Sequence, residues 1–353
     1  MMKAGRSGMT NPTFVLEKQK LQKHLSHFEY LARETGIIWF YTIKTFEKQE
    51  GLSIIAHSFS GFSIGNNNEY NKVQKFDKML HSYSPVYYPD EVENLAKQST
   101  TMSFNSLNQW QDYAELCSPY SSLGLRINPH LNLDQPSYCD SNISRFGVGY
   151  KDFLEHYSEL SLLDGLHFHA LCHQGLDALE KLFIHIETNY KAILPKLKWL
   201  NLGGGQNFTH DSYNTQGFIT LIQKFKVKYP HLTLYFEPGS AVLYECGYFE
   251  CTVMDIIDAK TPVVILNTSI ESHLLDVAIT KQQPKIRATI ETKTDYTYIL
   301  TGMSCIAGDV IGRYYFNQKL HIGDKIIFED MMGYTMVKQT SFNGLKEALF
   351  QVV

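Results

Sequence analysis

The chain alternates short apolar runs with longer segments in which apolar residues recur at helical spacing. Thr13–Leu16 predicts a short strand, Glu17–Thr35 an amphipathic helix and Gly36–Ile43 a buried strand. Continuous apolar strands that alternate with helices are typical of a parallel sheet, and the number of repeats favours a (β/α)8 TIM barrel of the α/β class. The further runs that we interpret as strands of this barrel are Ser53–His57, Val86–Tyr88, Gly124–Asn128, Gly165–His169, Lys198–Leu202 and Leu232–Phe236.

The pattern changes at about Gly247, where strands follow one another without long helices between them. This part predicts a C-terminal β-rich domain. We therefore expect a disordered leader over residues 1–11, a barrel over 12–245 and the β domain over 246–353, with the first short strand joining either domain. The strands predicted in the last part are Phe249–Ile257, Val263–Leu266, Tyr296–Leu300 and Lys325–Phe328.

Composition narrows the class of protein. A net charge of −4 over 353 residues gives no basic surface for nucleic acid. No apolar run approaches the roughly 20 residues of a membrane span. The six cysteines are scattered, without a C-x-x-C pair or a signal peptide, so we expect reduced thiols and a cytoplasmic location. His167 and His169 lie two residues apart, but no further ligand completes a metal site.

Two strand ends carry the candidate chemistry. Leu200–Gly205 ends in three glycines, Gly203, Gly204 and Gly205, and Leu232–Gly239 ends in Glu237. Glycine lets backbone N–H groups approach a phosphate without a Cβ in the way, and a carboxylate on the next strand would face the same barrel mouth. Together they suggest a phosphorylated heterocycle with a protonated ring nitrogen, which points to pyridoxal 5′-phosphate. Alternatively, the glycines form a tight turn, and Glu237 caps a helix or forms an ordinary ion pair.

Three further side chains lie at predicted strand ends. Lys44 is the candidate amine for an imine with the coenzyme aldehyde, and we expect Ile43 and Phe46 to bury it partly and so favour the free amine. The alternative is a solvated lysine. His169 could stack on the coenzyme ring or serve a structural role. Arg126 could add a fixed positive charge near the coenzyme or pair with a barrel carboxylate.

Two C-terminal segments mix small residues with reactive ones. Gly302–Asp309 is a predicted loop that contains Cys305 and Asp309, and Phe328–Thr335 ends a strand with Tyr334 in a turn. Cys305 could instead be a buried thiol, and Asp309 could be a turn former.

With these residues in order, the chain resembles the fold-type III pyridoxal-phosphate decarboxylases, the ornithine and diaminopimelate decarboxylase superfamily. Within that superfamily it is most similar to the carboxynorspermidine (carboxyspermidine) decarboxylases. The resemblance covers about Asn11 to Gly344. The segments that carry it are His81–Pro85, Phe104–Leu107, Leu125–Pro129, Gly165–Cys172, Trp199–Gly205, Glu237–Gly239, Cys305–Gly312, Tyr334–Lys338 and Phe342–Gly344.

The resemblance implies a coenzyme-binding barrel, a β-rich C-terminal domain and a homodimer that shares its active sites. It implies that Lys44 forms the imine, that His169 stacks on the ring and that Glu237 contacts the ring nitrogen. It also implies that residues around Arg126 and Gly239, the run Gly203–Gly205 and Tyr334 bind the coenzyme, its phosphate included. The neighbouring subunit would supply Cys305, near the carbon that is protonated, and Asp309, near the distal amine of the substrate. The other residues that match family positions on the substrate side are Arg145, His273 and Asp276.

The chain departs from the family pattern mainly on that substrate side. His173 stands where an acidic residue is expected, Gln206 where histidine is usual, and Ser240 where glutamate is usual. Ser63–Glu69 stands where the family has a serine-rich stretch that contains an aspartate, and Thr280–Pro284 stands where the family has an acidic loop. The chemistry of decarboxylation is therefore better supported than a polyamine substrate.

The function expected is decarboxylation of an α-amino acid that bears a 3-amino-3-carboxypropyl group, as carboxynorspermidine and carboxyspermidine do. The same group could instead sit on a peptide- or nucleotide-type natural product, which the enzyme would convert to an aminopropyl product. A racemase on the same fold is disfavoured because Glu237 strengthens the electron sink that alanine racemases weaken with an arginine. A catalytically silent protein that binds the coenzyme is the remaining alternative.

Overall fold

The computed structural model describes residues 11–131, 133 and 144–353. The predicted leader, apart from Asn11, and Cys139 lie outside the described residues. The described chain forms two units. One contains the residues up to Gln22 together with Leu243–Val353, and the other contains Lys23–Val242.

The strands follow the apolar runs of the sequence in most places. In chain order they are β1 (Thr13–Leu16), β2 (Ile38–Thr42), β3 (Gly61–Ile64), β4 (Met79–Tyr83), β5 (Thr101–Phe104), β6 (Ser122–Asn128), β7 (Val148–Gly149), β8 (Gly165–Phe168), β9 (Trp199–Asn201), β10 (Thr233–Phe236), β11 (Gly247–Ile257), β12 (Val263–Leu266), β13 (Thr289–Ile290), β14 (Thr297–Thr301), β15 (Val310–Phe316), β16 (Lys325–Glu329) and β17 (Leu349–Val352).

The helices of the described chain are longest among the first ten strands, as the sequence pattern indicates. They are α1 (Lys18–Thr35), α2 (Gln49–Ser58), α3 (Asn67–Val73), α4 (Val92–Gln98), α5 (Leu107–Cys117), α6 (Tyr150–Glu155), α7 (Leu176–Asn189), α8 (Thr215–Lys228), α9 (Ser240–Leu243), α10 (Ile270–His273), α11 (Leu275–Thr280) and α12 (Tyr334–Val337). No helix of the described chain is both long enough and apolar enough to cross a membrane.

Eight parallel strands close into the predicted barrel. The order around it is β2, β3, β4, β5, β6, β8, β9 and β10, and β10 pairs with β2 to complete the ring. Two of the predicted strands are wrong. Ser53–His57 lies inside α2, where Leu52, Ile55 and Ala56 are buried at helical spacing, and Val86–Tyr88 lies in a loop. The sequence pattern missed β3, β4 and β5 because polar side chains of these strands face the interior.

The barrel floor is filled by the side chain of Trp199. A Cβ on Gly165 would lie 2.1 Å from the indole, and one on Gly124 would lie 2.3 Å from it. The indole N–H donates to Ser122 Oγ at 2.9 Å, so the buried ring has its hydrogen bond. Two strands therefore need glycine where Trp199 crosses, and the indole supports the polar side chains nearer the mouth.

The second unit is built on one curled sheet. Its order is β13, β15, β14, β12, β11, β1 and β17, and β16 also pairs with β11. The N-terminal strand β1 is antiparallel to β11 and parallel to β17. Phe14 of β1 stacks on Phe249 of β11 with ring centroids 4.3 Å apart. The first strand of the chain thus belongs to the sheet unit.

Candidate active site

The carboxyl ends of five barrel strands carry the residues that the sequence singled out in this unit. Lys44 follows β2, Arg126 lies in β6 two residues before its end, His169 follows β8, the glycine run follows β9, and Glu237 follows β10. In a parallel barrel these ends open on the same mouth, where such folds place their chemistry. The barrel thus brings the predicted groups to one face.

Glu237 is the buried carboxylate of this mouth, with 7% of its surface exposed. Its Oε1 accepts a hydrogen bond from Asn201 Nδ2 at 2.6 Å, and His81 Nε2 lies 3.4 Å from the same oxygen. The other oxygen, Oε2, faces His167 Nε2 at 3.7 Å. Within the described part of the chain, no lysine or arginine comes within ion-pair distance of Glu237. Its neighbours are side chains that can be neutral donors.

His81 and His167 form a pair of imidazoles beneath Glu237. Their rings meet edge to face with centroids 5.3 Å apart, and both are fully buried. Burial lowers the pKa of His81 below its ordinary value. Burial also lowers the pKa of His167, well below its ordinary value, and the nearby His81 and Arg126 lower it further. Both rings are therefore neutral near pH 7.

The sequence alone indicated no role in the active site for either of these histidines. His81 belongs to a segment that resembles the family, and His167 forms with His169 a pair for which no further metal ligand was found. The signal that could have found them is the two-residue period of a strand. In β8 the side chain of His167 points inward, because it lies two residues before His169 at the mouth.

The glycine run ties the neighbouring strand ends together. Gly204 N–H donates to His169 Nδ1 at 3.0 Å, and Gly203 N–H donates to Asn201 Oδ1 at 2.8 Å. Glu237 N–H donates to the carbonyl of Gly203 at 2.7 Å. A Cβ on Gly204 would lie 2.1 Å from the Glu237 carbonyl oxygen, so no larger residue fits there. The run positions both His169 and Glu237.

Two glycine amides of the mouth remain available. The N–H groups of Gly205 and Gly239 donate no hydrogen bond to any described residue. Gly205 has φ of +94°, a conformation that favours glycine, and a Cβ on Gly239 would lie 2.4 Å from Thr45. Open amides at residues without side chains are typical of an anion cradle.

Arg126 is a buried cation without a carboxylate partner among the described residues. It is 3% exposed, and its Nη2 donates to the carbonyl of His169 at 3.3 Å. Its guanidinium lies over the rings of Tyr83, at 4.6 Å, and Phe146, at 4.5 Å. Arg145 stacks on Phe146 at 4.2 Å. Arg126 therefore does not form its alternative ion pair with any described carboxylate of the barrel.

Lys44 lies on a single 3-10 turn, Ile43–Thr45, directly after β2. Ile43 and Phe46 are buried, but Lys44 is exposed, so the expected partial burial of its side chain is wrong. Its ammonium group makes no ion pair or hydrogen bond with the described residues. Glu69 accepts a hydrogen bond from Gly65 N–H at 2.6 Å. Burial raises the pKa of Glu69, while that amide and the charge of Lys44 oppose the rise.

The other predicted site residues belong to the sheet unit. Asp309 is 3% exposed, and its two oxygens accept hydrogen bonds from Ile270 N–H at 2.9 Å and Ser304 N–H at 3.0 Å. Cys305 is exposed, and its N–H donates to Asn343 Oδ1 at 2.7 Å. The carboxylate of Asp309 thus fixes the loop that presents Cys305. A contact between Asp309 and a substrate amine would have to share an oxygen with these amides.

The last three predicted residues lie elsewhere in the same unit. His273 is buried between the carbonyl of Lys346, 2.9 Å from Nε2, and Thr268 Oγ1, 3.1 Å from Nδ1. Asp276 forms an ion pair with Lys338. Tyr334 begins α12, and the ammonium of Lys338 lies 4.9 Å from the centroid of its ring.

A closed parallel barrel with these groups at its mouth, followed by a sheet unit, is the architecture of the fold-type III decarboxylases. The family model described as pyridoxal-dependent decarboxylase, C-terminal sheet domain, matches residues 28–332. The chain belongs to this family of decarboxylases. The predicted family and the predicted fold class are confirmed.

Individual relatives show which members of the family this chain is similar to. A carboxynorspermidine/carboxyspermidine decarboxylase of Campylobacter jejuni is 34% identical over 95% of this chain and 91% of that protein. A carboxyaminopropylagmatine decarboxylase of Synechocystis is 36% identical over 96% of this chain and 89% of that protein. The crystal structure of carboxynorspermidine decarboxylase from C. jejuni, complexed with norspermidine, matches with a TM-score of 0.90 and 32% identity. That match covers 98% of this chain and 94% of the other.

Proposed function

We propose that this decarboxylase uses pyridoxal 5′-phosphate to remove CO₂ from a 3-amino-3-carboxypropyl group carried on an amine. Carboxynorspermidine and carboxyspermidine are the substrates proposed first. The observation that carries the proposal is a buried Glu237 without a cationic partner, in a chain 34% identical to an enzyme named for these two compounds.

The described residues fit the coenzyme. Glu237 offers an oxygen that accepts no hydrogen bond from the described residues, which suits a protonated ring nitrogen. The open amides of Gly205 and Gly239 suit a phosphate, and Arg126 supplies a buried positive charge that no carboxylate of the described chain cancels. When bound, the coenzyme provides an electron sink for the electron pair that the departing CO₂ leaves.

Each protein group then has a definite task. The exposed Lys44 amine is available for covalent attachment to an aldehyde, since no described residue competes for it. His169, held through Nδ1 by Gly204 N–H, has a fixed ring plane to orient a flat ligand. Glu237 would hold a proton at the ring nitrogen. By the resemblance to the superfamily, Cys305 would deliver or guide the proton that replaces CO₂, and Tyr334 would join the phosphate contacts.

A second candidate substrate is favoured by the Synechocystis relative. Its name gives the same carboxyaminopropyl group on agmatine, which ends in a guanidinium instead of an amine. The two relatives therefore agree on the reacting end of the substrate and differ in its tail. Departures from the family pattern on the substrate side, such as His173, do not indicate which tail this chain binds. A natural-product scaffold with the same group stays a further alternative.

The test is a direct assay with the coenzyme-loaded protein. Carboxynorspermidine, carboxyspermidine and carboxyaminopropylagmatine are supplied separately, and CO₂ and the mass of the amine product are measured. We expect one CO₂ per amine formed with at least one of these substrates, and no turnover by Lys44→Ala. Binding of the coenzyme without CO₂ release from any of them would refute the proposal. Deuterium exchange at the α carbon without CO₂ release would instead indicate a racemase.

We further propose a homodimer in which Cys305 and Asp309 of one copy complete the site of the other. This rests on the resemblance to the superfamily. A cytoplasmic location stays a prediction from cysteine usage.

A further inference from the structure

The two histidines beneath Glu237 take no part in the tasks assigned so far. They approach the carboxylate from below, His81 at Oε1 and His167 at Oε2, at 3.4 and 3.7 Å. Asn201 completes the set at Oε1. All three side chains are buried, so water does not weaken their electrostatic interactions with Glu237.

His167 is the unusual member of the pair. It is 1% exposed, and neither of its ring nitrogens has a hydrogen-bond partner among the residues that the structure describes. A buried polar group without a partner costs free energy, so such a group calls for an explanation. The polar atom that Nε2 faces is Glu237 Oε2, at 3.7 Å. The cost is reduced when Nε2 carries the proton and its N–H dipole points at the carboxylate.

The tautomer of His81 follows from the groups that face its two ring nitrogens. Two groups face His81 Nε2, Glu237 Oε1 at 3.4 Å and Ser103 Oγ at 3.3 Å; a carboxylate accepts and a hydroxyl can accept, so Nε2 carries the hydrogen. Its Nδ1 then accepts from Thr101 Oγ1 at 2.7 Å. Thr101 thereby fixes the ring with its N–H toward Glu237. A charged imidazole is disfavoured at both positions by complete burial, and at His167 also by Arg126 and Lys44.

We infer that His81 and His167 are positioning residues that direct neutral N–H dipoles at the Glu237 carboxylate and leave its charge for the coenzyme's ring nitrogen. A lysine or arginine in their place would also favour the carboxylate, but it would cancel the charge that the ring nitrogen needs. This inference rests on the proposed function, because it assumes that the coenzyme binds at this mouth.

The experiment compares two ligands that differ in one atom. Pyridoxal 5′-phosphate and its deaza analogue, with carbon in place of the ring nitrogen, are titrated into the full chain, and dissociation constants are read from tryptophan fluorescence. The ratio of the two constants reports the contact between Glu237 and the ring nitrogen. His167→Leu removes the dipole at similar volume, His167→Gln keeps an N–H donor, and Thr101→Val frees the tautomer of His81. His27→Gln is the matched control, because it removes an imidazole of the same unit that has an unpartnered buried nitrogen and no contact with Glu237.

We expect the wild-type protein to favour the natural coenzyme, and Glu237→Gln to abolish that preference. His167→Leu should lower the ratio by about tenfold, Thr101→Val by about threefold, and His167→Gln and His27→Gln by less than about twofold. A purely structural role would weaken both ligands equally and leave the ratio unchanged. A wild-type ratio in both His167→Leu and Thr101→Val would overturn the inference. Failure of the wild-type protein to bind either ligand would instead refute the proposed function.

Discussion

Replacing Gly204 with alanine tests how closely the glycine run and Glu237 are built together. The new Cβ would lie 2.1 Å from the Glu237 carbonyl oxygen, whereas real Cβ contacts shorter than 3.0 Å essentially never occur. The run must therefore retreat by about 1 Å. Gly204 itself has no positive φ, so the effect comes from space and not from backbone conformation.

The retreat strains the packing and weakens two hydrogen bonds, Gly204 N–H to His169 and Glu237 N–H to Gly203. Overpacking costs about 1–3 kcal/mol, and each bond contributes about 1 kcal/mol. We expect the free energy of unfolding to fall by roughly 2–5 kcal/mol. Because a displacement near 1 Å misplaces both groups, kcat/KM should fall by about 100-fold.

The assay is urea unfolding followed by tryptophan fluorescence, which reports this unit because Trp39, Trp110 and Trp199 all lie in it. Gly175→Ala is the control, since a Cβ there meets nothing within 4 Å. It should cost less than about 1 kcal/mol. A Gly204→Ala protein within about 0.5 kcal/mol of wild type would refute the geometry described for the glycine run.

Three further predictions concern other parts of the molecule. The pKa of buried His167 lies below its ordinary value of 6.5, so below about pH 6.5 the unfolded chain binds a proton that the folded chain does not. Stability should therefore fall with acidification. When urea unfolding is measured at several pH values, the slope of stability against pH should be smaller in His167→Leu by up to about 1.4 kcal/mol per pH unit. Asp309→Ala removes the acceptor of two backbone N–H groups and should lower the stability of the sheet unit by about 2–4 kcal/mol in thermal unfolding, whereas unchanged stability would contradict its role in fixing the loop. If copies share sites, mixing inactive Lys44→Ala and Cys305→Ala proteins should restore about a quarter of the wild-type activity, and no recovery after verified subunit exchange would contradict the shared site.

The sequence predicted the barrel best where its strands are mostly apolar. β2, β6, β8, β9 and β10 were all anticipated, and these are the strands that carry the candidate site. The prediction failed at β3, β4 and β5, whose buried residues include Ser63, His81, Ser82, Thr101 and Ser103. In a closed barrel an inward polar side chain can be satisfied by its neighbours across the interior. An apolar pattern cannot show this, because the partner lies on a strand distant in sequence.

The same reason limits what the sequence showed of the site. Strand-end positions indicated Lys44, His169 and Glu237, since a residue's place at the end of a strand is a local property. The alternative roles could not be separated without the structure. Whether Arg126 pairs with a carboxylate depends on residues that meet it in space, and the structure gives it a carbonyl and two aromatic rings instead. The roles of His81 and Asn201 likewise arise only from their approach to Glu237.

The charges of the barrel mouth are kept apart, and this separation is the strongest physical argument for a charged ligand there. Among the described residues, Arg126 is buried without a carboxylate partner, Glu237 has neutral donors, and Lys44 makes no ion pair. Burying Arg126 and Glu237 without an opposite charge beside either of them costs free energy. A ligand that presents a protonated nitrogen to Glu237 and anionic oxygens to Arg126 and the open glycine amides would recover that cost on binding. A ligand without charges would leave it in place, so the mouth selects for a zwitterionic ring compound over an apolar one of the same size.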